Sequence, residues 1–332
     1  MVMLRVLPLL LLGACAASPT ISYPNIGSVE AIQAGILPAD ALPEDLGGAF
    51  GWSEGPVWIE DGYLLFTDVP GNTIWKFSDQ DGLSVWMQPS GADPVADYTS
   101  SPGANGLLAY KNGTILAPDH GNRALYVLDL DTQEKTLLAD QYEGQRFNSP
   151  NDVVVHASGT MFFTDPPYGL KDQDGSSAKE IGFNGVYALQ SDGSITLIDD
   201  RLTRPNGIVL SPDGTTLYVS NSDPADAKYM TYPVGSDGSV GEGRLFLDVT
   251  ALLAEEGFGN PDGMAVAKDG TIFATGPGGV LVLSPDADIL GTIRTGKPVA
   301  NVAFGDANGR TLYMTSQDRL TRIETLKTGL EF

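Results

Sequence analysis

The chain has 332 residues, and 42 acidic residues against 19 Lys and Arg leave a net charge of −23. This charge excludes nucleic acid as a partner, because binding to phosphates requires clustered Lys and Arg. One cysteine and two histidines exclude an intramolecular disulfide, a multi-thiolate zinc site and a three-histidine metal centre.

The first fifteen residues have the pattern of an export signal. Arg5 precedes a short apolar run, Val6 to Leu12, which is too short to span a bilayer and is typical of a secretory signal. The tetrapeptide ending at Cys15 resembles a bacterial lipobox, in which the peptide is cut before a cysteine that is then lipidated. We therefore expect a signal peptide over residues 1–14, a lipid anchor on Cys15 and a periplasmic or cell-envelope location. The alternative is an ordinary secretory signal cleaved near Ala17.

Most of the chain consists of six copies of one β-rich unit. Each copy begins with a polar residue and contains two apolar runs separated by a turn with glycine, which is a strong hairpin signal. A second hairpin follows in most copies, and the copies begin 51, 46, 55, 56 and 39 residues apart. Units of this length with four strands are typical of propeller blades. We therefore predict an all-β fold, a six-bladed β-propeller with four antiparallel strands per blade.

One domain accounts for the remaining length. We predict the propeller over residues 45–332 and a linker over residues 15–44. A strand is predicted at Ser28–Gln33, where it would pair with the last blade and close the ring. Helical signal is confined to Val249–Glu256, between the fourth and fifth copies.

The first residues of the six copies are the candidate site. In a propeller the innermost strand of each blade lines the central channel, so the residues that precede these strands converge at one mouth. All six carry a side-chain oxygen, which turn preference explains for one Asn but poorly for six positions together. They are Glu54, Asn105, Asn151, Asn206, Asp262 and Asn301.

Two carboxylates and several amide oxygens suit a hard cation. Calcium takes six to eight oxygen ligands, and two carboxylates would neutralise its charge. We therefore expect a divalent cation in the channel mouth, preferably Ca²⁺, with Zn²⁺, Mn²⁺ or Mg²⁺ as alternatives.

Several longer motifs surround these positions. They are SEGP at 53–56, DHGNR at 119–123, RFNSPND at 146–152, DPPYG at 165–169, RPNG at 204–207 and PDGM at 261–264. With these motifs the chain resembles the SMP-30/gluconolactonase/luciferin-regenerating-enzyme family over roughly residues 45–328. The DHGNR and DPPYG segments are most similar to its bacterial gluconolactonases.

The resemblance implies hydrolysis of sugar lactones at a divalent metal. It implies that Glu54, Asn206 and Asp262 hold the metal, with Asn151 as a further ligand or a substrate contact. A metal would polarise the lactone carbonyl and hold the negative charge that develops on it. Asp262 is the expected general base, which later returns the proton to the ring oxygen.

Three further residues are predicted to contact the substrate. Asn105 is one of them, and His120 is expected to donate or accept a substrate hydrogen bond or to act as a second acid/base group. Arg146 would hold sugar hydroxyls or a carboxylate. The alternatives are a structural role for His120 and a solvated loop charge for Arg146, while His156 is expected at the surface of a hairpin turn.

Other functions remain open at this point. The same metal site would also suit another lactone, an ester or a phosphotriester, and a non-catalytic propeller would only bind a ligand. The expected partner is a small sugar lactone, and the expected state is a monomer or a small homo-oligomer.

Overall fold

The computed structural model describes residues 29–111 and 113–330. The predicted leader and its lipidation site, Cys15, lie outside the described residues. No helix within the described ranges combines the length and the apolar character required to cross a membrane.

Six four-stranded antiparallel sheets form the fold, which confirms the predicted six-bladed propeller. From the axis outwards, blade 1 consists of Ser53–Ile59, Tyr63–Asp68, Thr73–Ser78 and Gly82–Met87. Blade 2 consists of Leu108–Ala109, Thr114–Asp119, Ala124–Asp129 and Lys135–Ala139. Blade 3 consists of Val153–Val155, Met161–Asp165, Gly185–Leu189 and Ile195–Asp199. Blade 4 consists of Pro205–Leu210, Thr216–Asn221, Lys228–Pro233 and Arg244–Asp248. Blade 5 consists of Met264–Val266, Ile272–Gly276, Gly279–Leu283 and Ile289–Ile293. Blade 6 contains Asn301–Gly305, Thr311–Ser316 and Arg319–Glu324.

The ring closes with a different segment from the one predicted. Glu44–Gly48 pairs antiparallel with Arg319–Glu324 and supplies the outermost strand of blade 6. The predicted strand at Ser28–Gln33 is wrong, because Val29–Gln33 forms a short helix whose Ala31 is buried against blades 5 and 6. Residues 44–48 close the ring through this backbone pairing, and Arg319 Nε adds a side-chain hydrogen bond to Asp45 Oδ1 at 3.0 Å.

Little else departs from the repeat. A helix at Thr250–Glu256 lies where helical signal was predicted, a 3₁₀ turn spans Gln173–Gly175, and a two-stranded ribbon joins Gln141–Tyr142 to Gln145–Arg146. In every first hairpin the turn glycine has a positive φ, which favours glycine because it lacks a Cβ atom. These glycines are Gly62, Gly113, Gly159, Gly214, Gly270 and Gly309.

Apolar side chains fill the spaces between neighbouring blades. Val186 of blade 3 packs with Leu217 of blade 4, and Phe273 of blade 5 packs with Leu312 of blade 6. These residues are almost fully buried, because the middle strands are covered on both faces by the adjacent sheets. The packed walls hold the innermost strands in a fixed ring around the axis.

Candidate active site at the channel mouth

Six polar residues lie at or shortly before the start of the six innermost strands, and we call them the axial ring. Five of them are buried, and Asp262 is partly exposed. Glu54 and Asp262 are near enough to interact through their charges, and Asn301 and Asn206 lie beside Glu54 and Asp262, respectively, where each acts to lower the pKa of its neighbour. The structure therefore brings together residues that are up to 247 positions apart, from 54 to 301. The ring consists of Glu54, Asn105, Asn151, Asn206, Asp262 and Asn301.

Close contacts between blades hold the axial ring in register. A Cβ atom on Gly55 would overlap the carbonyl oxygen of Asn105, and one on Gly207 would overlap that of Asp262. Threonines of the second strands reach across to the next blade, as Thr164 Oγ1 does in donating to the carbonyl of Asn206 at 2.6 Å. Glycine after the ring residue therefore allows adjacent strands to begin in contact.

The carboxylates of the ring are desolvated and have no basic partner among the described residues. Burial raises the pKa of Glu54 to about 7, even though Gly55 N–H at 3.2 Å and Trp52 Nε1–H at 3.3 Å donate to it. Burial also raises the pKa of Asp262 well above its ordinary value, and the charges of Glu54 and Asp152 add to this effect. Within the described ranges, no Lys or Arg forms an ion pair with any of these three carboxylates.

Asp152 is a third axial carboxylate that the sequence reasoning missed. Its Oδ1 accepts the Val153 N–H at 2.9 Å and its Oδ2 accepts the Ile208 N–H at 3.3 Å, so it joins blades 3 and 4. Burial raises its pKa to about 7. In four of the other copies a glycine follows the ring residue. In the third copy Asp152 stands in place of this glycine, and that difference is the sequence signal from which this carboxylate could have been identified.

The ring amides differ in which atom they present. Ser222 Oγ donates to the carbonyl of Pro261, so it accepts from Asn206 Nδ2 at 2.9 Å and leaves the Asn206 oxygen on the opposite side. Asn301 is held differently, because its Oδ1 accepts the Val302 N–H at 2.8 Å and its amino group is left to lie beside Glu54. The Asn206 oxygen is therefore available to a cation, whereas the Asn301 oxygen is already occupied by the Val302 N–H.

His120 lies beside two members of the ring. Its Nε2 is 3.1 Å from Asn105 Nδ2 and 3.5 Å from Asn151 Nδ2, and the residue is only 2% exposed. Burial lowers the pKa of His120 to about 3. Both Asn105 Oδ1 and His120 Nδ1 are buried without a hydrogen-bond partner.

Arg146, His156 and Asp165 hydrogen-bond to residues outside the axial ring. The Arg146 guanidinium donates to the carbonyl of Asn122 at 2.7 Å, so it borders the loop that carries His120. The prediction for His156 is wrong, because that side chain is 7% exposed and bonded to Ser158 at 2.8 Å. Asp165 accepts the N–H groups of Asn148 and Ser149, both at 2.7 Å, and so shapes the turn before Asn151.

The ring atoms fit a divalent cation better than a zinc centre. No group of three or more His, Cys, Asp and Glu side chains within the described residues has metal-binding geometry. The ring instead combines two carboxylates with amide oxygens, which are the ligands that Ca²⁺ and other hard cations prefer. The Oδ1 atom of Asp262 is buried with no hydrogen-bond partner, and buried carboxylates are ordinarily paired or bound to metal.

The two ends of the channel differ in chemistry. Beyond the ring, a cavity of about 900 Å³ is lined mainly by apolar side chains of the innermost strands, including Val57, Ile208 and Met264. A second cleft, of about 410 Å³, is lined by Tyr168 and Arg204. Tyr168 hydrogen-bonds to Ser222 and lies near Asp262. The larger cavity therefore touches the ring directly, because the ring residue Asn301 and the axial carboxylate Asp152 are among its lining residues, whereas the polar cleft approaches the ring through Tyr168.

Comparison with known proteins agrees with this architecture. Residues 52–318 match the family model described as SMP-30/Gluconolactonase/LRE-like region. A gluconolactonase from Zymomonas mobilis subsp. mobilis is 42% identical over 284 residues, covering 84% of this chain and 80% of that protein. An L-arabinolactonase from Azospirillum brasilense is 28% identical over 272 residues, covering 79% and 80%, respectively.

A solved structure extends the similarity to three dimensions. A gluconolactonase from Xanthomonas campestris superposes with a TM-score of 0.77 at 29% identity, covering 93% of this chain and 98% of that one. The matched region in the family model includes every residue of the axial ring. The chain therefore belongs to the SMP-30/gluconolactonase/LRE-like family.

Proposed function

We propose that this protein is a metal-dependent lactonase that hydrolyses sugar lactones, with the axial ring as its active site. The observation that carries the proposal is the pair of desolvated carboxylates at the mouth of the channel, Glu54 and Asp262, which have no basic partner among the described residues. The 42% identity to a gluconolactonase supports lactone hydrolysis. The fit of the ring atoms to a hard cation supports the requirement for a metal.

Glu54, Asn206 and Asp262 would hold the cation, with Asn151 as a fourth ligand or a substrate contact. When bound, a divalent cation supplies a Lewis acid that polarises the lactone carbonyl and stabilises the oxyanion. The amino group of Asn301 lies beside Glu54, and Ser222 orients Asn206. Asp152 adds negative charge next to Asp262, which strengthens the demand for a cation.

Asp262 is the group placed to move the proton. Its Oδ1 is free of hydrogen bonds, so it would accept a proton from the water whose oxygen attacks the lactone carbonyl carbon. The bond between that carbon and the ring oxygen then breaks, and Asp262 returns the proton to the departing oxygen. The product is the open hydroxy acid, and the carboxylate regains its starting state.

The test is a ring-opening assay on purified protein before and after treatment with a chelator. Glucono-δ-lactone hydrolysis is followed with a pH indicator, after subtraction of the spontaneous reaction. We expect turnover that chelation abolishes and that added Ca²⁺, Mn²⁺ or Zn²⁺ restores. Turnover that is unaffected by complete removal of metal would refute the metal requirement but leave lactone hydrolysis intact.

A substrate panel distinguishes the other functions. The similarity to an L-arabinolactonase makes five-carbon sugar lactones the first alternative substrates to assay. Aryl esters and an aryl phosphotriester test whether the same site acts on other electrophiles. A protein that binds a cation but hydrolyses none of these compounds would be a ligand-binding propeller and would overturn the proposal.

We also propose that the protein is exported and anchored through a lipid on Cys15. The support is the short apolar run before the only cysteine of the chain. Expression of the full chain and of Cys15→Ser, followed by metabolic labelling with a radioactive fatty acid and cell fractionation, tests this. We expect label and membrane association in the native chain alone. Equal distribution of both forms in the soluble fraction would rule out the anchor.

A further inference from the structure

The contacts of His120 with Asn105 and Asn151 determine the direction of three side chains. The imidazole lies just after the strand Thr114–Asp119, and a Cβ atom on Gly169 would collide with it. Packing therefore holds the ring in one place beneath the DPPYG turn. Its Nε2 is 3.1 Å from Asn105 Nδ2 and 3.5 Å from Asn151 Nδ2.

The chemistry of these atoms defines the tautomer. An amide nitrogen only donates hydrogen bonds, so the Nε2 atom of His120 must be the acceptor and the proton must lie on Nδ1. The Nδ1 atom is buried without a partner. Such an unpaired group is costly, and within the described residues the hydrogen bonds of the imidazole are those at Nε2.

From this geometry we propose that His120 is a positioning residue that turns the side-chain oxygens of Asn105 and Asn151 into the active site. Because both amino groups are directed at Nε2, both Oδ1 atoms are on the far side of their amides. Ser222 orients Asn206 in the same way by accepting its amino group at 2.9 Å. The part concerning Asn151 rests on the proposed function, in which its oxygen is a cation ligand or a substrate contact.

The orientation of Asn105 also identifies a ligand group. Its Oδ1 is buried and accepts no hydrogen bond, so it is free to receive one from an O–H group. A hydroxyl of a polyhydroxylated lactone meets this requirement, whereas a deoxygenated lactone does not. His120 therefore serves substrate recognition through Asn105, and its Nε2 is already occupied by two amides rather than free for acid/base chemistry.

The first experiment measures the tautomer of each histidine in the native protein. The chain has two histidines, and the second is an internal control. His156 Nδ1 accepts the Ser158 N–H at 3.1 Å, so its proton belongs on Nε2. Long-range ¹H–¹⁵N correlation spectra in mildly alkaline solution should therefore show opposite tautomers, with His156→Gln used for assignment. An Nε2–H tautomer at His120 would overturn the proposal.

The second experiment compares two replacements of His120. In His120→Gln an amide oxygen reaches the position of Nε2, whereas His120→Leu provides no acceptor there. We expect the Leu variant to bind Ca²⁺ about 10–100-fold more weakly in calorimetry, as is usual for loss of a group that orients a ligand. The Gln variant should stay within about threefold of the native protein. Unfolding midpoints confirm that both variants are folded.

The outcomes separate this inference from the proposed function. Native-like Ca²⁺ affinity and KM in the Leu variant, or equal losses in both variants, would refute the positioning role. If the native protein binds no divalent cation, the metal part of the proposed function fails. The positioning role is then decided by the tautomer and by the KM for a hydroxylated lactone, which should rise in the Leu variant and recover in the Gln variant.

Discussion

Acidic side chains at the axis and at the rim of the propeller are buried with opposite consequences. Glu54 at the axis has no basic partner, and burial raises its pKa to about 7. Asp199, in the outermost strand of blade 3, is also desolvated, but hydrogen bonds from Arg201 at 2.7 Å and Tyr232 at 2.9 Å outweigh this and lower its pKa. The chain supplies hydrogen-bond donors and a cation to the rim carboxylate, whereas it supplies no basic partner to the axial carboxylates among the described residues.

The largest expected effect is the loss of turnover on substitution of Asp262. Unlike the rim carboxylate Asp199, it has an oxygen, Oδ1, without a hydrogen-bond partner. Asp262→Asn keeps the shape of the side chain and removes the base, so we expect kcat to fall by about 10²–10⁴-fold. The pH-indicator assay measures it, and Asp286→Asn, in an exposed turn, is the matched control. A normal rate in the Asp262 variant would refute its assignment as the base.

Glu54→Gln is expected to weaken cation binding, by a smaller factor than Asp262→Asn lowers kcat. Loss of a charged ligand should weaken Ca²⁺ binding by at least about tenfold in calorimetry, with exposed Glu255→Gln as the control. Unchanged affinity would remove Glu54 from the site.

The same substitution, Glu54→Gln, should stabilise the metal-free protein against unfolding. The pKa of Glu54 rises from 4.5 to about 7 on folding. The folded carboxyl group therefore holds its proton longer, and stability falls as the pH rises between these values. In chelator at pH 8, we expect Glu54→Gln to unfold at a higher denaturant concentration, by an amount on the order of 1–3 kcal/mol. A lower midpoint in chelator would show that Glu54 is not an uncompensated charge.

The smallest effect is expected at the rim. Asp199→Asn should lower the unfolding free energy by about 1 kcal/mol at neutral pH, because the bonds to a charged acceptor are lost. The pKa of Asp199 is lowered on folding, so its contribution is present above the unfolded pKa and disappears as the pH falls through the folded one. Denaturant titrations at neutral and acid pH should therefore converge for the two proteins. A difference that is constant with pH would contradict the charged pairing.

The fold and most of the axial ring could be predicted from the sequence because they repeat. Each turn glycine and each ring residue recurs once per blade, so six weak signals combine into one strong one. Asp152 and Ser222 were missed because each occurs in one blade only, and their roles depend on contacts with Ile208 and Asn206 of particular strands. The position of the closing strand was predicted wrongly because its pairing with the last blade depends on long-range contacts, which the local sequence pattern does not indicate.

Blade 6 takes strands from both ends of the chain, and this has a consequence for synthesis on the ribosome. Its outermost strand, Glu44–Gly48, is the first of the described strands to be made, and its partner Arg319–Glu324 is the last of them. Ser53, beside Glu54, donates to the carbonyl of Gln317 at 2.9 Å. The contacts of the first blade are therefore also incomplete until blade 6 has been made. In a nascent chain, blade 6 therefore stays open beside Glu54 until Arg319–Glu324 has emerged from the ribosome.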